Sequence, residues 1–317
     1  MQYTQLGKTG LQVSRICFGC WQLSPKFWGD VPLEPWRKAL DTALDQGINF
    51  VDTAGAYGDG YSEESLGAYF AGRGNRDQWV LATKVYWDWQ GPARIPRTDY
   101  DFIISECEGA LRRLRTDYID LWQIHAWDPL TRPEEVAAAM GKLKKDGKIR
   151  HVGVSNLNVE QMELYSQYME LASLQPLYNL VAREIEDREL PWCLQHGVGV
   201  VPYSPLHRGL LSGKYTPEQT FDDDRKNLKL YQGGAFRHML AALGECKKTA
   251  AELGLTMPQL AIRWLLTHPA VTSPIVGIKT PGMVSSIVKA ADEPLPMAVW
   301  HDLGKRLKTA AEEAMQM

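Results

Sequence analysis

Short apolar runs alternate with longer segments that carry apolar residues at helical spacing along most of the chain. The run from Ile48 to Val51 follows Gly47 and suits a strand that is buried on both faces. Residues 99–114 place apolar side chains at positions 102, 103, 110, 111 and 114, a spacing typical of a helix with one buried face. Read in this way, the pattern predicts strands at 15–19, 48–51, 80–84, 119–124, 149–154, 174–176, 199–203 and 272–276, and helices at 34–46, 63–70, 99–114, 133–145, 159–168 and 297–314.

The order of these elements predicts an α/β fold with a parallel sheet. Repeated strand-helix units favour parallel strands, and eight of them favour a closed (β/α)8 TIM barrel over an open sheet. Residues 3–15 alternate about Gly7-Lys8-Thr9-Gly10, which predicts an N-terminal β-hairpin. The stretch 206–236 shows no sustained periodicity and is expected to be a long loop after strand 7. We expect residues 1–317 to form a single domain.

Four side chains with chemical potential follow three of the predicted strands. Asp52 ends the second strand and Tyr57 lies on the loop beyond it, while Lys84 and His125 follow the next two strands. Parallel strands bring such residues to one edge of a barrel, where barrel enzymes have their active sites. A phenol is a poor acid near neutrality unless a cation lies beside it, and Lys84 can supply that cation with Asp52 holding it. His125 can donate a hydrogen bond to a substrate carbonyl.

Composition restricts the partners and the compartment. The net charge of -3 and the pI near 6.2 give no general attraction to nucleic acid or to an anionic membrane. The N-terminus shows no signal-peptide pattern, and five scattered cysteines fit a reducing compartment, so we expect a cytoplasmic protein without a membrane role. Cys17 and Cys20 form a CxxC, but no second pair completes a zinc site, and neither redox nor metal chemistry is favoured there.

The order Asp52, Tyr57, Lys84, His125 resembles the catalytic tetrad of the aldo-keto reductase superfamily. The resemblance covers nearly the whole chain and is closest to the bacterial branch that includes the potassium-channel beta-subunit type. It implies carbonyl reduction by hydride transfer, with Tyr57 as the general acid, Lys84 and Asp52 supporting it, and His125 positioning the carbonyl oxygen. The segments that carry the resemblance are Leu6 to Ser14, Asp52-Thr53-Ala54, Tyr57-Gly58, His151 to Asn156, Gln175, Tyr178-Asn179 and Tyr203 to Leu206.

The same resemblance implies a nicotinamide cofactor, NADPH or NADP, held at the strand ends. No GxGxxG follows a strand, so an ordinary Rossmann unit is not supported. The family's usual arginine at the adenosine phosphate is Lys279 here, and Ser286-Ile287 stands where an acid-Asn pair is expected, which leaves NADH use open. By resemblance, Ser155, Asn156 and Gln175 bind the carboxamide, Tyr203 stacks on the ring, Ser204, Leu206, Arg208 and Gly209 follow the pyrophosphate within a cofactor-covering loop that includes Lys214, and Gly277 and Lys279 grip the adenosine phosphate.

The substrate is expected to be a small carbonyl compound. Trp21, Trp87 and Trp127 follow strands one, three and four and are candidates for an aromatic wall, although each indole can equally pin a surface loop. Two other functions stay open: a cofactor-binding regulatory subunit of a partner protein with little turnover, and a metal-dependent barrel hydrolase, for which only Asp52 and His125 are well placed. We expect a monomer or a weak homo-oligomer.

Overall fold

The chain opens with an antiparallel hairpin in the computed structural model, which describes residues 1–89 and 93–317. Strands β1 (Tyr3–Gln5) and β2 (Gln12–Ser14) pair so that Tyr3 lies opposite Ser14. Gly7 has a φ of 54°, and a Cβ there would lie 2.4 Å from the carbonyl oxygen of Ala172, so the turn needs glycine. The hairpin is as predicted.

Parallel strands form the centre of the fold. The strands of the central sheet are β3 (Cys17–Gly19), β4 (Phe50–Asp52), β5 (Val80–Val85), β8 (Ile119–Ile124), β9 (Ile149–Ser155), β10 (Ser173–Gln175), β11 (Gly199–Val200) and β12 (Ile275–Gly277). Their order in the sheet is β11, β10, β9, β8, β5, β4, β3, β12, and every neighbouring pair is parallel. A separate two-stranded ribbon, β6 (Trp87–Asp88) with β7 (Ile95–Pro96), interrupts the connection after β5.

The two ends of this sheet meet and close the barrel. Val200 of β11 forms a parallel bridge with Val271, and the Thr272 amide donates to the Val200 carbonyl at 2.8 Å. The Ile275 amide donates to the Pro202 carbonyl, also at 2.8 Å. The predicted (β/α)8 barrel is therefore confirmed, and its strand ends share one face, where a site can form.

Side chains along each strand point alternately into and out of the barrel, so the protein has an inner core and an outer core. Phe50, Ala82 and Leu121 are fully buried inside the barrel, where Leu6 and Val13 of the hairpin plug the bottom. The intervening residues, such as Val51 and Trp122, pack against the surrounding helices. Burying one large apolar side chain contributes roughly 1.5–3 kcal/mol, so the two cores together can fix the strand ends rigidly.

Helices cover the outside of the barrel. Several begin at clear caps: Asp99 accepts a hydrogen bond from the Phe102 amide, and Asn158 and Gln161 form a capping box. In the part of the chain that the structure describes, no helix combines the length and the apolar composition of a membrane-spanning segment. The helices are α1 (Pro25–Trp28), α2 (Leu33–Asp45), α3 (Tyr61–Arg73), α4 (Tyr100–Leu114), α5 (Pro133–Lys145), α6 (Val159–Ser166), α7 (Glu189–His196), α8 (Gly233–Glu252), α9 (Met257–Thr267), α10 (Pro281–Val288) and α11 (Met297–Gln316).

Element boundaries differ from the sequence pattern where backbone groups find other partners. Strand β4 begins at Phe50 rather than Ile48, because the Ile48 amide donates to the Ala43 carbonyl at the end of α2. The expected loop after β11 contains the 3₁₀ turns His207–Ser212, Asp224–Asn227 and Lys229–Tyr231, and α8 begins within its predicted span, at Gly233. The pattern did not predict helices α1 and α7 to α10.

Candidate active site

Lys84 contacts both Asp52 and Tyr57, two of the other residues that the sequence predicts for the site. Its Nζ donates to Asp52 Oδ1 at 2.7 Å, to the Thr53 carbonyl at 2.7 Å and to the Tyr57 hydroxyl at 3.2 Å. Lys84 and Asp52 are buried at the carboxyl ends of β5 and β4, which are neighbours in the sheet. The ammonium group is therefore fixed between a carboxylate and a phenol, out of contact with bulk water.

A tight loop places Tyr57 over this pair. The Tyr57 amide donates to the Ala54 carbonyl, and the Tyr57 carbonyl accepts from the Ser62 amide at the start of α3. Gly58 and Gly60 have φ values of 65° and 90°, which residues with a Cβ rarely adopt. At Gly55 a Cβ would lie 2.6 Å from Glu106 Oε1, so this loop rests directly on the layer beneath it.

That layer is a buried ionic cluster of two carboxylates and one guanidinium. Arg113 bonds to Glu63 at 2.6 Å and to Glu106 at 2.5 Å. Thr83, the residue before Lys84, donates to the other oxygen of Glu63 at 2.5 Å. Burial raises the pKa of Glu106, while the nearby charge of Arg113 opposes that rise. We call Glu63, Arg113 and Glu106 the buried ionic cluster; it supports both the tyrosine loop and β5.

The environment perturbs the acid-base groups in different directions. Burial raises the pKa of Tyr57 to about 12, although the charge of Lys84 opposes the rise. Burial alone would lower the pKa of Lys84, but the charge of Asp52 and the hydrogen bonds outweigh it, and that pKa is raised. At neutral pH the site therefore holds a protonated phenol beside a protonated amine.

His125 lies against the edge of the Tyr57 ring, with the ring centroids 6.2 Å apart and the planes at 77°. Burial, together with the smaller effects of the Lys84 and Arg94 charges, lowers its pKa to about 3. The imidazole is thus neutral at physiological pH, and a neutral imidazole can donate one hydrogen bond to a carbonyl oxygen. The four residues of the predicted tetrad meet at one place.

The residues predicted to bind the carboxamide also lie together. Ser155 Oγ donates to the Gln175 carbonyl at 2.7 Å, and Asn156 Nδ2 donates to Ser155 Oγ and to the His125 carbonyl, each at 3.0 Å. The Tyr203 hydroxyl donates to Asn156 Oδ1 at 2.9 Å. Asn156 has a φ of 58°, an unusual value for a residue with a side chain, and such strain collects at functional sites.

Gln175 reaches deeper than predicted. Its Nε2 donates to Asp52 Oδ2 at 2.9 Å and to Gln123 Oε1 at 3.2 Å, and Gln123 Nε2 donates to Asp52 Oδ2 at 3.2 Å. Gln123 was not among the predicted site residues. A signal was present: Gln123 is polar within an apolar strand and lies two residues before His125, so it shares the inward face.

The segment after β11 has a backbone suited to anions. Ser204, His207, Arg208 and Gly209 have φ values of 54°, 43°, 50° and 95°, and the Ser204 carbonyl accepts from Asn179 at 2.9 Å. Successive left-handed residues can turn backbone amides inward as an anion-binding nest. The Leu206 carbonyl accepts from the Gly209 amide, which closes the turn. The pyrophosphate prediction falls on this segment.

Cationic side chains and two indole rings lie between the turn at 204–209 and the end of β12. Arg208 lies over the Trp21 ring at 5.6 Å, and Trp28 has Lys279 at 5.6 Å and Arg225 at 6.0 Å from its ring centroid. Burial lowers the pKa of Lys279, and the neighbouring charge of Lys214 adds to the effect. This positive region suits phosphate groups. Arg225 and Trp28 were not predicted for this role.

Two buried polar atoms beside this positive region have no hydrogen-bond partner among the described residues. They are Gln22 Oε1 and Trp28 Nε1. The Gln22 side chain lies directly over Gly277, where a Cβ would clash with it. The turn of left-handed residues, the cations Arg208, Lys214 and Lys279, and these two unsatisfied polar atoms fit a dinucleotide with phosphate groups.

The three predicted substrate-binding tryptophans do not form one wall. Trp21 packs edge-on against Trp28 and lies beside Arg208, on the side of the predicted cofactor. Trp87 packs against Tyr86, whose hydroxyl donates to the Trp127 carbonyl, so these two loops are tied together. Trp127 also packs edge-on against Tyr165. Their substrate role stays a prediction.

The CxxC residues are separate buried thiols. Cys17 and Cys20 are free, and burial raises the pKa of each thiol, which makes the reactive thiolate scarce. In the part of the chain that the structure describes, no three His, Cys, Asp or Glu side chains are grouped as metal ligands would be.

Comparison with known proteins agrees with this geometry. The sequence model of the aldo/keto reductase family matches residues 15–306. The Aldo-keto reductase YhdN of Bacillus subtilis (strain 168) is 39% identical over 290 residues, covering 90% of this chain and 88% of that protein. The chain therefore belongs to the aldo/keto reductase family of oxidoreductases.

The chain is also similar to two proteins with different names and roles. A solved structure of the glycerol dehydrogenase AKR11B4 from Gluconobacter oxydans superposes with a TM-score of 0.89 and 35% identity, covering 96% of this chain and 94% of that one. A probable voltage-gated potassium channel subunit beta of Arabidopsis thaliana is 32% identical over 308 residues, covering 92% of each chain.

Proposed function

We propose that this protein reduces aldehydes or ketones to alcohols with NADPH, and that Tyr57 is the proton donor. The observation that carries the proposal is the position of Lys84, bonded at once to Asp52 and to the Tyr57 hydroxyl. A lone buried lysine-aspartate pair can be structural. A pair that also contacts a phenol beside a neutral histidine is an arrangement for moving a proton.

The residues divide the chemistry as follows. A nicotinamide cofactor, when bound, would supply the hydride. Tyr57 donates its hydroxyl proton to the carbonyl oxygen, and the Lys84 ammonium stabilises the phenolate that forms. Neutral His125 donates a hydrogen bond that holds the carbonyl oxygen near the Tyr57 hydroxyl. General acid catalysis of this kind contributes about 10²- to 10⁴-fold.

We further propose that the protein prefers NADPH to NADH. Lys279, with Lys214 nearby, supplies positive charge for a 2'-phosphate, whereas the charge of Arg225 is paired with Asp223. Ser155, Asn156 and Gln175 would hold the carboxamide and Tyr203 would stack on the ring, while the turn from Ser204 to Gly209 would hold the pyrophosphate.

The test is the loss of NADPH absorbance with a reactive aromatic aldehyde, with NADH run in parallel. Consumption of NADPH and not of NADH supports both the reaction and the cofactor preference. Comparable use of NADH supports the reaction but contradicts the role of Lys279. No consumption of either, in protein that binds the cofactor, contradicts the proposal for this class of substrate.

The similarity to a potassium-channel subunit beta favours a second candidate, a cofactor-binding regulatory subunit with little turnover. Tight NADPH binding without turnover on any carbonyl, together with a co-purifying membrane partner, would support this alternative. Turnover by the isolated chain would argue against it.

We also propose a cytoplasmic location and a monomer or weak homo-oligomer. The cysteines Cys17, Cys20, Cys107, Cys193 and Cys246 are all free and buried, which supports a reducing compartment. Cell fractionation with thiol labelling would test the location, and sedimentation of the purified chain would test the oligomeric state.

A further inference from the structure

Two buried amides and the carboxylate of Asp52, a member of the tetrad, form a closed hydrogen-bonded triangle inside the barrel. Asp52 Oδ2 accepts from Gln123 Nε2 at 3.2 Å and from Gln175 Nε2 at 2.9 Å. The third side runs from Gln175 Nε2 to Gln123 Oε1 at 3.2 Å. Gln123 is 0% exposed and Gln175 is 2% exposed. The other oxygen of Asp52 bonds to Lys84, so both carboxylate oxygens have partners.

The charge of Asp52 fixes the orientation of both amides. A carboxylate paired with an ammonium only accepts hydrogen bonds, so both amide nitrogens must face it. One Gln175 N–H is then used by Asp52 and the other by Gln123. Only Oε1 of Gln175 stays available, and among the described residues it has no donor. Gln123 thus makes Gln175 an acceptor towards the site above.

Packing alone does not require a polar residue at position 123. The preceding inward residue of the same strand is Leu121, and a Cβ on Gly153 of the neighbouring strand would lie 3.0 Å from Gln123 Cγ. An apolar side chain of similar length would fill this space without the cost of burying an amide, which is about 1–3 kcal/mol when a partner is missing. We therefore attribute the polar side chain at position 123 to its hydrogen bonds with Asp52 and Gln175.

We propose that Gln123 is a positioning residue for carbonyl reduction, acting through Asp52 and Gln175. Towards Asp52 it adds a second amide donor, which holds the carboxylate in the plane where it meets Lys84. Towards Gln175 it fixes the amide so that its oxygen accepts from the amino group of a nicotinamide carboxamide. One buried side chain thereby links cofactor recognition to the proton donor, and the inference rests on the proposed function.

The test compares Q123L and Q123E with the unaltered protein over a range of pH. Q123L removes both hydrogen bonds, and we expect roughly a tenfold loss of kcat at every pH, equal to about 1.4 kcal/mol, with weaker NADPH binding. The carboxyl of Q123E can accept from Gln175 in either state, but it can donate to Asp52 only while it is protonated, and once ionised it repels the Asp52 carboxylate. Its turnover should therefore approach that of the unaltered protein at low pH and fall steeply as the pH rises.

Q259L is the matched control, because Gln259 is another buried glutamine and caps α9 away from the tetrad. It should lose stability but keep the shape of the pH profile. Q123M replaces Q123L if the latter does not fold. Unaltered kcat and NADPH affinity in Q123L or Q123M, or a pH profile of unaltered shape in Q123E, would overturn the inference. If the unaltered protein reduces no carbonyl, the proposed function fails separately, and NADPH titrations of the same variants by tryptophan fluorescence still decide the role of Gln123.

Discussion

Lys84 and Tyr57 meet through both the hydroxyl and the ring. The Lys84 ammonium donates to the hydroxyl at 3.2 Å and lies 4.8 Å from the centroid of the aromatic ring. The same cation therefore stabilises a charge that forms on the oxygen and contacts the electron-rich face of the ring. Since burial raises the pKa of Tyr57 to about 12, Lys84 is the group that keeps proton exchange accessible.

Replacing Lys84 should damage both stability and turnover. K84M leaves the Asp52 carboxylate buried without its cation, which typically costs about 3–5 kcal/mol. It also removes the charge that opposes the effect of burial, so the pKa of Tyr57 should rise further. The double variant D52N/K84M removes both charges and should recover most of the stability.

Urea unfolding and steady-state turnover separate the two effects. We expect D52N/K84M to unfold near the midpoint of the unaltered protein and yet to turn over no faster than K84M. Turnover that returns together with stability would show that Lys84 acts only through packing.

The buried ionic cluster should be a second determinant of stability. R113M leaves Glu63 and Glu106 buried without a counter-charge, and we expect a loss of roughly 3–5 kcal/mol in the free energy of unfolding. The control is R73M, which breaks the more exposed pair with Asp41 and should have a much smaller effect. Equal losses in the two variants would contradict the supporting role of the cluster beneath the tyrosine loop.

Stability should fall between about pH 6.5 and pH 4. Burial lowers the pKa of His207 to about 4 and that of His125 to about 3, while an unfolded histidine titrates near 6.5. In this window the unfolded state binds more protons, so stability is fully present above pH 6.5 and is lost as the pH falls. The slope is up to about 1.4 kcal/mol per pH unit for each histidine.

The contribution of His207 can be isolated by unfolding H207Q at pH 7 and at pH 5. We expect a smaller loss between these values than in the unaltered protein, whereas H301Q, on the exposed surface of α11, should keep the full loss. An identical pH dependence in H207Q and the unaltered protein would rule out this histidine as a source.

Lys279 should decide between the two nicotinamide cofactors. A hydrogen bond to a charged group contributes roughly 1.5–3 kcal/mol, so K279A should weaken NADPH binding by about 10- to 100-fold and leave NADH almost unchanged. K289A, an exposed lysine ten residues further along, is the control. Calorimetric titration of each cofactor measures the effect, and equal losses for NADPH and NADH in K279A would contradict a contact with the 2'-phosphate.

Sequence patterns predicted the barrel because its strands are short, apolar and regularly spaced. They also brought Asp52, Tyr57, Lys84 and His125 to one edge, since parallel strands leave little freedom in where their ends lie. Helix α3 was placed too narrowly, at 63–70, because its limits are set by the left-handed residues Gly60 and Gly74 rather than by apolar periodicity.

Long-range contacts could not be predicted in this way. Glu63 and Arg113 are fifty residues apart, and nothing in their local sequence indicates that they pair. The contact between Arg225 and Trp28 could not be predicted either, because nothing in their local sequence indicates it. Gln123 was visible as a polar residue in an apolar strand, but its partners Asp52 and Gln175 come from two other strands, and only the closed barrel brings the three together.

The turnover of Y57F shows whether Tyr57 is the proton donor. We expect kcat for aldehyde reduction to fall by about 10²- to 10⁴-fold, because no other phenol contacts Lys84 among the described residues. NADPH affinity should stay unchanged, and Y168F, which alters an exposed tyrosine bonded to Glu134, should behave like the unaltered protein. Turnover of Y57F at the rate of the unaltered protein would show that Tyr57 is not the proton donor.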